Sequence, residues 1–330
     1  MSQACKILIL GASYGSLLGI KLVMAGHRVT LVCLPNEVDL INREGIRVRL
    51  PLKGREGLVE LDSRHYPGLL RAAGPADVKP ADYDLVGLAM QEPQYRSPGV
   101  RELLDAVARS RVPCMSIMNM PPLPYLARLP GVATEACRGA YTDPTVWDSF
   151  GPASMTLCSP DPQAFRPPEE AVNVLQVRLP TNFKAARFVS DTHTALLRSL
   201  QADIEAIRHE VDGQKVELPV KLKVHDSVFV PLAKWSMLLA GNYRCVTPQG
   251  VRPIKEAVHS DLATSRAVYD WVGELCKSLG AKEEDLVPFE KYAAAAQGLA
   301  SPSSAARALY AGAPHIERVD RLVQAVAAQK

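Results

Sequence analysis

Residues 6–33 read KILILGASYGSLLGIKLVMAGHRVTLVC, and their order decides the fold. Lys6–Leu10 is a short apolar run, stopped at once by Gly11. From Ser16 to Ala25, Leu17, Leu18, Ile20, Leu22 and Val23 supply the apolar face of a helix. Gly26 suits the position just past that helix, where a left-handed backbone is common and glycine adopts it without strain. His27–Cys33 is half apolar and β-rich. Strand, glycine turn, helix and strand within about 30 residues make one βαβ unit.

The turn itself is Gly11-Ala12-Ser13-Tyr14-Gly15. Small residues let the backbone approach a diphosphate, and the N–H groups and dipole at the start of the next helix hold its charge. The usual spacing is GxGxxG. Here Gly15 comes one residue early and Ser13 takes the middle glycine position. The context of strand before and helix after still predicts dinucleotide binding, with Gly11, Ala12, Ser13, Tyr14 and Gly15 as its contacts. The same residues also read as GxSxG, the nucleophile elbow of serine hydrolases. Against that, the motif follows the first strand and no oxyanion-loop motif stands upstream.

The second strand runs out at Cys33-Leu34-Pro35-Asn36. An acidic residue here would hold a ribose 2′-hydroxyl, and an arginine a 2′-phosphate. Neither is present, so Asn36 is the polar candidate and the choice between NAD and NADP stays open. Arg43 reads as a solvated helix position.

Further on, Gly45–Leu50 alternates as an edge strand would, while Asp84–Ala89 and Val112–Met118 are continuous apolar runs typical of strands covered on both faces. Val100–Ala108 is an amphipathic helix. Residues 131–180 hold several short β-like runs. After Pro180, helical spacing dominates over Ser190–Arg208, Val228–Val246, Lys255–Leu279, Glu283–Gln297, Ser303–Ala311 and Ile316–Ala328. Val211–Lys223 alternates and fits either a hairpin or a loop. This order predicts an α/β fold: an N-terminal Rossmann domain with a mostly parallel sheet over residues 1–182, then an all-helical domain over residues 183–330.

Composition narrows the partners. The 330 residues carry 38 basic and 35 acidic side chains, a net charge of +3 without basic or acidic blocks. Neither nucleic acid nor a membrane is expected as partner. No apolar stretch reaches the roughly 18 residues of a membrane span, and the apolar start is too short for a signal peptide. Seven cysteines without a CxxC pair read as free thiols of a cytoplasmic protein, and the scattered histidines give no metal site.

Lys6–Arg28, the VTLV of Val29–Val32 and the helix leading to Asn42-Arg43-Glu44-Gly45-Ile46 together resemble the opening of the ketopantoate reductase (2-dehydropantoate 2-reductase) family. The resemblance implies a Rossmann domain followed by a helical domain like that of 6-phosphogluconate dehydrogenase. It also implies an NAD(P)-dependent reduction of a small 2-keto acid or related carbonyl, and a homodimer. In the family a helix carries a catalytic lysine and, eight residues on, an asparagine; Val230–Asn242 fits, with Lys234 as the acid and Asn242 as a substrate contact. The family's intervening asparagine is Leu238 here. Asn119 matches an asparagine at the end of a late Rossmann strand, although Met120-Pro121-Pro122 replace the glycines after it. Ser303, Ser304 and Glu317 match a serine pair and an acidic residue of the substrate site, Glu317 one position out of register. Met90 or Gln91 stands where the family often has a basic cofactor contact.

The residues alone make sense of Lys234. It lies in an otherwise apolar stretch, where an ammonium is costly to bury without a task or a partner. Desolvation suits a lysine to proton transfer, and an ammonium stabilises the negative charge that grows on a carbonyl oxygen during reduction. In a regular helix Asn242 is turned roughly 80° from it. Two alternatives stand beside this reading. His225-Asp226 precedes the helix, and opine-type dehydrogenases use a histidine–aspartate arrangement on imines. A non-catalytic dinucleotide-binding protein would also accommodate the shortened loop.

Overall fold

The computed structural model describes residues 3–330. The chain forms two compact units, and neither is a single stretch of sequence. The first takes residues up to Met90, then Gln94–Met118 and Ser149–Asp226; the second takes Gln91–Pro93, Asn119–Asp148 and Ser227–Lys330.

The first unit opens with β1 (Lys6–Leu10), α1 (Ala12–Met24) and β2 (Arg28–Val32). The helix begins four residues earlier than its apolar periodicity indicates, so Ala12–Gly15 form its first turn. There follow α2 (Pro35–Glu44), β3 (Arg47–Pro51), β4 (Leu58–Asp62), β5 (Leu69–Ala73), β6 (Leu85–Leu88), α3 (Val100–Ser110) and β7 (Cys114–Ile117). Two short helices, α4 (Leu123–Leu126) and α5 (Thr134–Cys137), belong to the second unit. The first unit resumes with β8 (Met155–Ser159), β9 (Gln163–Phe165), β10 (Val174–Leu179), β11 (Phe183–Ala186), α6 (Asp191–Glu205), β12 (Arg208–Val211), β13 (Gln214–Glu217) and β14 (Leu222–His225).

Eight of these strands make one sheet in the order β14-β11-β8-β7-β6-β1-β2-β5. From β8 to β5 every neighbouring pair is parallel; β11 is antiparallel to β8 and parallel to β14. The mostly parallel α/β architecture expected from the sequence is therefore present. Ile7, Leu8, Ile9 and Leu10 are 0% exposed, as a central strand covered on both faces requires. Residues 183–226, which helical spacing groups with the later part of the chain, instead extend this sheet through β11 and β14. Between them, Val211–Lys223 opens with the β12–β13 hairpin. Its two-residue turn is Asp212-Gly213, both at positive φ, the pairing that a hairpin's twist favours.

A second sheet, β4-β3-β10-β9, lies on the other side of α1, which packs against β1 and β2 on one face and β3, β9 and β10 on another. That explains why SLLGIKLVM is apolar almost all round: a helix between two sheets has no solvent face. Gly15 is part of the same fit, since a Cβ there would stand 2.6 Å from Ile9 Cγ2. Lys21 is only 2% exposed, and burial, reinforced by nearby Lys221, lowers its amine to about 7. His27, in the turn before β2, accepts the Cys5 N–H on Nδ1 at 3.2 Å, so its proton sits on Nε2, 3.4 Å from the Asp203 carboxylate. This ties the turn to α6.

The second unit is mainly helical. Lys234–Met237 forms α7, and after the two-stranded hairpin β15 (Val246–Thr247) and β16 (Gly250–Val251) come α8 (Ile254–His259), α9 (Leu262–Leu279), α10 (Phe289–Ala296), α11 (Ser304–Tyr310) and α12 (Val319–Ala327). The single helix that spacing indicates over Lys255–Leu279 breaks at Asp261, whose side chain accepts the Thr264 N–H at 2.9 Å and restarts the chain as α9. Among the described residues no helix is long and apolar enough to cross a membrane.

Candidate functional site

In the first unit the chemistry gathers at the β1–α1 turn. Gly11 has φ 104°, and its N–H donates to the Val32 carbonyl at 2.9 Å. A Cβ on it would lie 2.6 Å from Met90 Cγ and 2.8 Å from the Ala89 carbonyl oxygen, so only glycine fits where the end of β6 crowds the turn. No side chain caps the start of α1 and no acidic residue stands in its first turn. The positive end of this 13-residue helix is thus balanced neither by a capping side chain nor by an acidic residue of its own first turn. Ser13 is exposed in this first turn. Tyr14 is held inside the unit: its hydroxyl donates to the Pro162 carbonyl at 2.7 Å and its ring meets Phe183 edge-on at 5.7 Å, with burial raising the phenol well above its usual range. Gly11 and Gly15 therefore serve a tight turn and close helix–strand packing, and Ser13 stands between them on an open face. These residues fit a diphosphate.

The remaining cofactor candidates divide. Met90 packs on Gly11, and its N–H donates to the Tyr95 hydroxyl at 3.1 Å. Gln91 is half-buried and belongs to the second unit, while Asn36 is exposed in the first turn of α2. Arg43 is exposed and pairs with Glu44 at 2.9 Å. The elbow reading loses its basis, because Ser13 lies within a regular helix and not at the apex of a turn.

In the second unit, Lys234 opens α7 after a 3₁₀ turn at Val230–Ala233 and is half-buried. The helix then widens into a π turn over Leu238–Asn242. Such a turn inserts one extra residue and frees a carbonyl. The Tyr292 hydroxyl donates to the Met237 carbonyl at 3.1 Å, and Gly241 makes room for it: a Cβ there would be 2.1 Å from that hydroxyl. The inserted residue changes the angle between positions 234 and 242. Eight residues across one π insertion count as seven helical steps, so Asn242 returns to within roughly 20–30° of Lys234 around the axis instead of the 80° of a regular helix.

Asn119 and Glu317 come together although 198 positions separate them: the Asn119 amide donates to one Glu317 carboxylate oxygen at 3.3 Å. The other oxygen accepts the Glu92 N–H at 3.3 Å. The carboxylate of Glu92 in turn accepts from the Thr142 N–H at 3.0 Å and hydroxyl at 2.9 Å. Glu317 is 6% exposed and Glu92 2%. Burial pushes Glu317 up to about 7, with the negative charge of Glu92 adding to the rise and the N–H groups of Glu92, Asn119 and Met120 pulling against it. Asn119 Oδ1 is buried and has no hydrogen-bond partner among the described residues. Tyr243 fixes the neighbouring backbone by donating to the Glu317 carbonyl at 2.7 Å and accepting the Val319 N–H at 2.9 Å.

Ser303 is buried as the cap of α11; its hydroxyl donates to the Asn242 carbonyl at 2.7 Å and accepts the Ala306 N–H at 3.2 Å. It thereby positions Asn242 through the backbone. Ser304 is exposed. Glu92 and Tyr243 were not singled out from the sequence. Glu92 is the residue after Gln91 at the end of a buried strand, so an acidic group beside a cofactor candidate was the available signal. Tyr243, next to Asn242, gave none. His225 ends β14, and the Asp226 carboxylate pairs with Arg198 at 2.6 Å on the surface of the first unit.

No protein-family model matches the sequence, and no curated protein matches it either. Solved structures do match over nearly the whole chain. A Bacillus subtilis protein described as a 2-dehydropantoate 2-reductase is 14% identical with a TM-score of 0.59, over 98% of this chain and 100% of that one. A Ralstonia solanacearum protein described as a ketopantoate reductase is 14% identical with a TM-score of 0.60, over 99% and 98%. A D-mandelate dehydrogenase, solved with NADH and anilino(oxo)acetate, is 13% identical with a TM-score of 0.59, over 98% of both chains. At this identity the likeness establishes the fold: a Rossmann domain with a helical domain, as in ketopantoate reductases.

Proposed function

We propose that this chain is a nicotinamide-dependent reductase of a small 2-keto acid or a related carbonyl, with Lys234 as the proton donor. The observation that carries the reading is the hydrogen bond between Asn119 and Glu317. The two residues lie 198 positions apart in the sequence, and their contact supports reading them as parts of one site.

The β1–α1 turn would hold the diphosphate of the dinucleotide through its uncapped amide hydrogens. When bound, the nicotinamide supplies hydride. The rest falls to the protein. The Lys234 ammonium stabilises charge growing on the carbonyl oxygen and gives it a proton. Asn242, on the same side of the helix, engages another polar group of the substrate. Asn119 Oδ1 offers a buried acceptor to a substrate hydroxyl or ammonium. A homodimer in the cytoplasm, without nucleic-acid or membrane partners, completes the reading.

The test combines binding and turnover. NADH and NADPH are titrated by fluorescence, and a panel of small 2-keto acids is screened with and without an amine donor. Lys234→Ala should lose about 10²–10⁴-fold in kcat with unchanged nucleotide affinity. Undiminished turnover in that variant, or no nucleotide binding by the wild type, refutes the proposal. Turnover that requires the amine points to imine reduction instead.

A further inference from the structure

Rossmann domains distinguish the two nicotinamide dinucleotides where the second strand ends, by a carboxylate for the ribose 2′-hydroxyl or an arginine for a 2′-phosphate. Read along the chain, that place holds neither, because Cys33-Leu34-Pro35-Asn36 follows β2 directly. The next residue along the chain is the carboxylate Glu37, and the fold brings Arg166 to it across 129 positions. Glu37, in the first turn of α2, is 7% exposed. Arg166, just past β9, pairs with its carboxylate through Nη1 and Oε1. Both act on the thiol of Cys33, the residue that follows the strand.

We infer that Glu37, held by Arg166, forms the adenosine 2′-subsite and selects NADH over NADPH. The inference rests on the dinucleotide reading above. The guanidinium orients the buried carboxylate through Oε1, which leaves Oε2, outside that contact, as the acceptor assigned to a ribose hydroxyl. A 2′-phosphate would instead set its negative charge against that carboxylate, and the arginine that would normally answer it is already neutralised. The field at the end of the strand agrees. Burial raises the Cys33 thiol to about 12, Glu37 adds to the rise, and Arg166 opposes it more weakly, so at this thiol the carboxylate outweighs the guanidinium. The basic residue at the other end of α2, Arg43, pairs with Glu44 and lies in the last turn.

The experiment measures NADH and NADPH binding to the wild-type protein by fluorescence titration, and 5′-AMP against adenosine 2′,5′-bisphosphate by thermal shift. The wild type should bind NADH at least about tenfold more tightly than NADPH and favour 5′-AMP over the bisphosphate. Glu37→Gln should bring the two dinucleotide affinities toward equality, through a gain for NADPH. Equal binding, or tighter binding of NADPH by the wild type, overturns the inference while leaving the dinucleotide reading intact. So does a Glu37→Gln protein with an unchanged ratio. If the variant does not fold, the wild-type ratios with both probe pairs decide. Binding of no nucleotide at all overturns the parent reading and this inference with it.

Discussion

Replacing Glu317 by glutamine should change how stability depends on pH, and the structure gives sign and size. An unfolded glutamate ionises at about 4.5, whereas burial and the charge of Glu92 hold the folded Glu317 carboxyl at about 7. Between these values the unfolded chain has released the proton and the folded chain keeps it, so stability falls as pH rises through the interval. A difference of about 2.5 units at 1.36 kcal/mol each gives a loss of about 3 kcal/mol, complete above pH 7. Glutamine has nearly the same shape and no ionisation. It can keep accepting the Glu92 N–H, and the Asn119 amide can turn over to offer its unpartnered Oδ1 to the new NH₂ group. The assay is urea unfolding of both proteins at half-unit steps from pH 4 to 8.5. The wild type should lose about 3 kcal/mol relative to Glu317→Gln across this range. If the chain melts as one unit of 330 residues, that corresponds to roughly 4 °C in Tm. Parallel curves would show that Glu317 titrates as an ordinary carboxyl, and the electrostatic account of this cluster would be wrong.

Two other substitutions probe the frame that holds the sites. Lys21→Met removes a buried amine whose folded value, about 7, lies below its ordinary 10.5. Wild-type stability should therefore rise between pH 7 and 10.5, as the unfolded chain retains the proton longer, and the variant should be more stable at pH 7 by up to about 4 kcal/mol. Denaturation at pH 7 and pH 9.5 checks it, and a variant with the wild-type pH dependence contradicts the burial account. Gly241→Ala puts a methyl against the Tyr292 hydroxyl and should cost about 1–3 kcal/mol. The cost should shrink in a Tyr292→Phe background, where the hydroxyl is gone; equal costs in both backgrounds would remove Tyr292 as the reason for the glycine.

The sequence by itself determined the βαβ opening, because an apolar run, a glycine at the turn and helical spacing are local properties. Lys6–Leu10, Gly11 and the helix that follows were legible without any long-range contact. So was the helical character of the later chain and the Lys234–Asn242 spacing. Three things were decided only by tertiary structure. The sheet runs on through β11 and β14, strands of four residues each, too short to separate by pattern from the helices beside them. The π turn at Leu238–Asn242 depends on Tyr292, a residue some fifty positions downstream, so no reading of that helix alone could place Asn242 on the side of Lys234. The charges of Glu37 with Arg166, and of Glu92 with Glu317, acquire their meaning from burial beside a partner more than a hundred positions away. Local periodicity records which way a residue faces, but desolvation and ion pairing depend on what the rest of the chain brings to it.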